Sequence, residues 1–589
     1  MTLDVKIQNG TIVDGTGAPA YRGDVGIRGG TIVALGEVTE AASRTIDAEG
    51  ALVTPGWVDM HTHYDGQVSW DADLLPSSGH GVTTAVMGSC GVGFAPVRAR
   101  DRERLIKLFE GVEDIPGSAL SEGIDWRWES FPEYLSAIDF PHTMDVVGQM
   151  THDALRIFVM GDRAVAGEHA TPDDIAAMRA LLRQGLEAGA AGFSTGRTDN
   201  HRALDGSPTP ASEASIAELR GLASAFDGLA HGVLQAVSDF DMERSPELFD
   251  GEFDVLEQWI DAAHGHGVSI SLMQRDLVPT QWKQILRRAE GLKQKGTDIR
   301  VQVSPRGIGV LLGLEATFHP FMGFPSYKAV AHLPLAERVA AMRDPAFRAR
   351  ILTEKSDPVA GDGSPVPPLA DRLLAAIEMI SGRIFRLGEN PTYEPSAADS
   401  LLAEARKKGV SALSVIYDAL LENDGHELLY FPIYNYMGMN LDAVGEMLHH
   451  PLAIPALGDG GAHVGTICDA SMPTYFLLHW ARDRKEGRFS IEQAVRMLSH
   501  EPASFLRLHD RGTLAVGKKA DVNVVDLPAL RLYRPRLVAD LPAGGRRLLQ
   551  DARGYRATLV SGTVVSEGDK LTGQRPGRLV RVGQPRSAG

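Results

Sequence analysis

The chain has 589 residues, 43% hydrophobic and 23% charged, which fits a folded globular protein and excludes a disordered or fibrous one. A formal net charge of -17, with no Lys/Arg block of the kind that tracks phosphates, argues against nucleic acid and anionic membrane as partners. Two cysteines, Cys90 and Cys468, do not make a disulfide framework and read as reduced thiols.

In chain order, the start MTLDVKIQNGTIVDG alternates apolar and polar residues and lacks the basic-then-apolar pattern of a signal peptide. No run of about 18 apolar residues occurs, so the expectation is a cytoplasmic protein. Short strands Val5–Ile7, Thr11–Val13, Asp24–Ile27 and Thr31–Val33 are bounded by Gly, Asp or Asn. Similar strands recur near the other end, Ala520–Val525 and Ala557–Val560, which predicts one composite β domain built from both termini.

The middle alternates strands with helices. The strands are Ala51–Val53, Thr83–Met87, Met144–Val147, Gly192–Ser194, Gly232–Val237, Val268–Leu272, Ile299–Val303 and Ala453–Leu457. Helices are predicted over Pro172–Ala188, with Thr171 as N-cap, and over Ile216–Phe226. This alternation predicts a (β/α)8 barrel. Residues from about 306 to 450 are too many for one strand–helix unit and predict a largely helical insertion over the barrel mouth. Within it, the Pro/Gly-rich stretch 356–369 reads as a loop.

Three places can carry chemistry. Pro55 to His63, PGWVDMHTH, runs an apolar strand into His61 and His63, whose side chains share a face at period two. At the C-terminal end of a barrel strand, two imidazoles suit a borderline metal such as zinc, although two polar residues at a strand end is the plainer reading. Cys90 ends the next strand between glycines; it reads either as a metal thiolate or as a small buried hydrophobe. Asp459, in Gly458 to His463, closes the last strand. A carboxylate there can bind metal and accept a proton from the attacking water, or merely form a DG turn.

These motifs, with Gly192 to Gly196 and the late stretch Arg511 to Asp521, resemble the amidohydrolase superfamily, and within it the N-acyl-D-amino-acid deacylase (D-aminoacylase) branch. The resemblance spans nearly the whole chain. It implies a TIM-like (β/α)8 barrel over residues 55–511 and a composite β-sandwich from 1–54 and 512–589. It implies zinc on His61 and His63, Cys90 in the place of the bridging carboxylated lysine of other branches, and Asp459 as catalytic acid/base. The expected reaction is hydrolysis of an N-acyl amino acid or similar N-acyl compound; another amide, cyclic or xenobiotic, and a metal-free scaffold are the rival readings.

Deacylases of this type carry a histidine at the ends of strands five and six. Here those strands end Gln235 to Asp239 and Leu272 to Arg275, without one. One zinc on His61, His63, Cys90 and Asp459 is therefore expected over two. Asp239, Gln274, His152, His201 and His319 are the residues that could substitute. Arg197 and Arg275 could bind a substrate carboxylate or form structural ion pairs. His463 reads as supporting the site or as a loop residue. A small-molecule substrate is expected, and a homo-oligomer is left open.

Overall fold

Strands from both ends of the chain form a single sheet in the computed structural model, which describes residues 2–242, 244–360 and 369–584. Leu3–Ile12 pairs antiparallel with Tyr21–Arg28 and parallel with Ala42–Asp47. Leu52–Pro55 lies between Thr11-Ile12 and Val522–Val525, and Tyr555–Val560 and Thr563–Glu567 extend the sheet. Burial follows the strand period: Leu3, Val5 and Ile7 face inward, and Val5 and Ile7 pack with Val25, Val522, Val524 and Leu559. Ala51–Val53, expected in the central array, belongs here instead. Its apolar run fits either sheet, and its hydrogen-bond partners decide between them.

The central strands are Trp57–Thr62, Val82–Met87, Asp145–Gly148 with its continuation Met150–Thr151, Gly192–Arg197, Val233–Ser238, Gly267–Leu272, Ile299–Val303 and Ala453–Pro455. Each pairs in parallel with the next. The exit of the last returns to the first: Gly460 bridges Thr62, and the Asp459 N–H donates to the His61 carbonyl at 3.1 Å. Nearly every residue of these strands is buried, as parallel strands covered on both faces require.

Helix Pro172–Glu187 starts as its sequence predicts. Thr171 Oγ1 accepts from the Asp174 N–H, and the Asp174 carboxylate accepts from the Thr171 N–H. The segment between the seventh and eighth strands holds the expected helices, among them Leu335–Met342, Leu401–Lys408 and Ala412–Leu420. It also holds an antiparallel sheet of Ile308–Leu312, Leu429–Tyr434 and Phe385–Arg386 that composition does not reveal. Phe318, Phe321, Phe347 and Tyr417 give it a core of its own. Of the stretch read as a loop, residues 361–368 lie outside the described residues. Among the described residues, no helix is long and apolar enough to cross a membrane.

At the N-terminal ends of the central strands, the stretch 577–582 runs beneath the array. Val580 N donates to the Val146 carbonyl and Val582 N to that of Gly189. Beside them Asp145, Arg511, Lys519 and Asp521 form a buried charge cluster.

Candidate metal centre

The opposite, C-terminal ends of the strands collect the histidines. His61 lies within Trp57–Thr62 and His63 follows it, so their rings face the same side, 5.4 Å between centroids. The loop after the eighth strand is stitched to them: His63 N donates to the Gly460 carbonyl at 2.8 Å, which sets Asp459 beside both rings. Asp459 Oδ1 is 3.4 Å from His61 Nε2 and 3.9 Å from His63 Nε2. Cys90 Sγ is 3.2 Å from His61 Nε2, and one donor atom each of His61, His63 and Cys90 lie within 4.8 Å of one another.

Local backbone geometry places two of these groups. Cys90 and Asp459 occupy the left-handed region at φ 57° and 48°, which is uncommon for non-glycine residues. The Cys90 loop lies close against the fourth strand because Gly91 has no side chain; a Cβ there would sit 2.7 Å from the Gly196 nitrogen.

The far nitrogen of His61 is hydrogen-bonded, and that of His63 faces a carboxyl oxygen without an aligned hydrogen bond. His61 Nδ1 is 2.6 Å from Gln302 Oε1 and 2.8 Å from Gln235 Nε2, and Gln302 in turn donates to Ser269 Oγ. His63 Nδ1 lies 3.1 Å from Glu113 Oε1, and Glu113 Oε2 lies 3.8 Å from His463 Nε2. Both Nε2 atoms are thereby left facing the shared space.

Electrostatics agree with the geometry. Burial pushes the His61 imidazole down to about 4 and His63 well below its ordinary value, the latter aided by His61, His463 and His201. Both rings are neutral at pH 7, as ligands must be. Burial likewise lowers His201 and His463 to about 4. Burial raises the Cys90 thiol and the Glu113 and Asp459 carboxyls well above their ordinary values, and neighbouring acids add to each shift. Acids crowded together out of water in this way favour a cation among them.

A model described as the amidohydrolase family matches residues 44–566. The chain belongs to the amidohydrolase family. It is similar to D-aminoacylase of Alcaligenes xylosoxydans xylosoxydans, 28% identical over 583 residues, which are 98% of this chain and 97% of that protein. It is also similar to N-acyl-D-aspartate deacylase of the same organism, 38% identical over 195 residues, 33% of this chain and 36% of the relative. Among solved structures, N-acyl-D-glutamate deacylase from Bordetella bronchiseptica, complexed with zinc and a phosphonate inhibitor, superposes with a TM-score of 0.63 at 23% identity, covering 99% of this chain and 100% of that one. That likeness is one of fold.

In this amidohydrolase the remaining residues singled out in the sequence are placed as follows. His201 is half-buried, its Nδ1 is without a hydrogen-bond partner, and it is felt electrostatically by His63. His152 has both ring nitrogens engaged, with Thr195 Oγ1 and Glu218 Oε1 at 2.9 Å each. Arg197 forms a two-pronged pair with Glu252, and Arg275 donates to the Ser238 carbonyl. Asp239 accepts from Thr198 Oγ1 and the Asp199 N–H. Gln274 accepts from the Met437 N–H, while His319 is buried against Tyr327 in the core of the inserted segment. Glu113, Gln235 and Gln302 had no motif to announce them. Glu113 did carry one signal: it continues the Leu105, Phe109 spacing of four along helix Arg102–Glu113, which puts it on the buried stripe.

Proposed function

We propose that this amidohydrolase is a metal-dependent hydrolase cleaving the amide bond of an N-acyl amino acid or a similar N-acyl compound. The observation that carries the reading is the gathering of His61, His63 and Cys90, one donor atom of each within 4.8 Å of the others, with Asp459 Oδ1 beside both rings. Donors held 2.0–2.3 Å from a tetrahedral zinc lie about 3.3–3.8 Å apart; the three measured separations are 3.2, 3.4 and 3.9 Å, one inside that range and two about 0.1 Å outside it. The neutral imidazoles and the soft thiol favour zinc, and one such donor set supports one ion per chain. The ring of eight parallel strands reads as a closed TIM-like (β/α)8 barrel, with 1–54 and 512–589 as the two parts of a β-sandwich and an insertion over about 306–450. Free, buried Cys90 and Cys468 are in keeping with a cytoplasmic enzyme.

A bound zinc would polarise the amide carbonyl and acidify the attacking water. Asp459 would take the water proton as attack begins and return it to the departing nitrogen. His61 and His63 stay neutral throughout, held from behind by Gln302 and Glu113. Met273, Ile308 and Leu457, backed by Tyr434 and Ile467, form an apolar patch at the same strand ends that suits the acyl group. Tyr430 and Tyr436 are buried and donate to the Gly307 and Pro395 carbonyls.

Elemental analysis tests the reading. About one zinc per chain is expected in the wild type, and much less in Cys90→Ala. Turnover of N-acyl D- or L-amino acids, in a panel with lactams and aryl amides, should follow the zinc. Protein that holds no metal and takes up none would overturn the proposal.

A further inference from the structure

Glu113 stands apart from the other acids of the site. It ends helix Arg102–Glu113, is 1% exposed, and none of the ion pairs made by the described residues joins it to Lys or Arg. Its two oxygens face two different histidines: Oε1 lies 3.1 Å from His63 Nδ1, and Oε2 lies 3.8 Å from His463 Nε2 with no hydrogen bond of its own. A carboxylate buried without a cation costs several kcal/mol. Its chemistry is therefore explained only by what it does for the groups it faces.

We infer that Glu113 is a positioning residue that holds the His63 proton on Nδ1, so that Nε2 presents its lone pair to the metal, and that anchors His463 at the rim of the same site. A carboxylate behind a ligating imidazole fixes the ring and raises its basicity, and losing such a partner costs 10–100-fold in metal affinity elsewhere. His61 is held on the same side of its ring by an amide, Gln302. The two ligands thus differ: His63 faces a carboxyl group, which a cation on the site would ionise and so make His63 the stronger donor, while His61 faces the amide dipoles of Gln302 and Gln235. The 3.1 Å contact is not aligned as a hydrogen bond, and drawing charge from Nε2 into a metal acidifies Nδ1–H and favours its alignment onto Oε1.

The inference rests on the metal reading above, and the experiment separates the two. Zinc-loaded, full-length protein with 15N-labelled histidine is examined by long-range 1H–15N correlation, with His63 assigned by its loss in His63→Asn. The wild type should show His63 protonated on Nδ1 with a strongly downfield proton. Glu113→Gln, which keeps an acceptor and the volume, should keep that tautomer with the proton moved upfield and zinc affinity lowered about tenfold; Glu113→Leu should lose the downfield proton and about 10–100-fold in affinity. An unchanged His63 signal and unchanged affinity in both variants, with zinc bound, would overturn the positioning role and leave the metal reading intact. Two zinc ions in the wild type falling to one in Glu113→Gln would make Glu113 a ligand and equally overturn it. Wild-type protein that takes up no zinc would overturn the metal reading and this inference with it.

Discussion

The two ends of the central strand array treat buried carboxylates in opposite ways. At the N-terminal ends, Asp145 is 2.6 Å from Arg511 Nη1 and 2.7 Å from Lys519 Nζ, and it accepts from the Arg578 N–H as well. Burial raises its carboxyl, but the two cations and their hydrogen bonds outweigh burial and hold it below the ordinary carboxylate range. At the C-terminal ends, Glu113 and Asp459 face histidines and a cysteine, and burial holds both above that range. The first cluster is complete as folded and serves stability. The second is complete only with a cation, and the difference between them marks the functional end of the molecule.

The sharpest break of this contrast is Asp459→Asn. Removing the proton acceptor should lower kcat by ~10²–10⁴-fold while zinc content stays near the wild-type value, checked by steady-state kinetics beside elemental analysis. Full activity in that variant would remove Asp459 from the mechanism.

Asp145→Asn should do the reverse. Breaking a buried pair costs about 3–5 kcal/mol, so the denaturant midpoint should fall while kcat and metal content hold. The sign of its pH dependence follows from the depressed carboxyl. The stabilisation is fully present above the unfolded value of about 3.9 and is lost as pH falls through the folded value. The deficit of the variant should therefore be constant from pH 5 to 8 and shrink below pH 4.

Zinc added to chelator-treated protein should stabilise it by about 2.7 kcal/mol at 100-fold excess over Kd. At one fixed free zinc concentration the gain should be larger at pH 8 than at pH 6, because Cys90 and Asp459, held up by burial, must each give up a proton on binding and Kd falls as pH rises. Thermal melts at the two pH values measure it; a gain independent of pH would remove these groups from the ligand set. The smallest effect belongs to neither end. Thr171→Ala deletes one half of a capping box and should cost about 1 kcal/mol without touching metal or activity.

What was legible in the sequence was local. Period-two alternation located the terminal strands, apolar runs located the central ones, and Thr171 with Asp174 declared a helix start. His61, His63, Cys90 and Asp459 were legible because each stands directly at or after a strand, where chain order alone puts it at the C-terminal ends. Glu113 was not, because its place depends on where a helix outside the strand array comes to rest. Gln235 and Gln302 were hidden for another reason. Inside strands they read as polar residues out of pattern, and only the arrangement of strands one, five and seven around His61 gives them a partner. Ala51–Val53 was read with the central strands, although the division at residue 54 kept it with the terminal ones, because an apolar run does not name its neighbours.

That same strand has a consequence for how the protein is made. Leu52–Pro55 finds Thr11-Ile12 at once, but its other neighbour, Val522–Val525, is about 470 residues later. At 5–20 residues per second, a ribosome needs about 25–95 s to deliver it. Throughout that interval the nascent chain displays an open, apolar strand edge of the kind that recruits other chains. Completion of this sheet waits on a strand about 470 residues downstream, so slow or interrupted translation between the two leaves the edge uncovered.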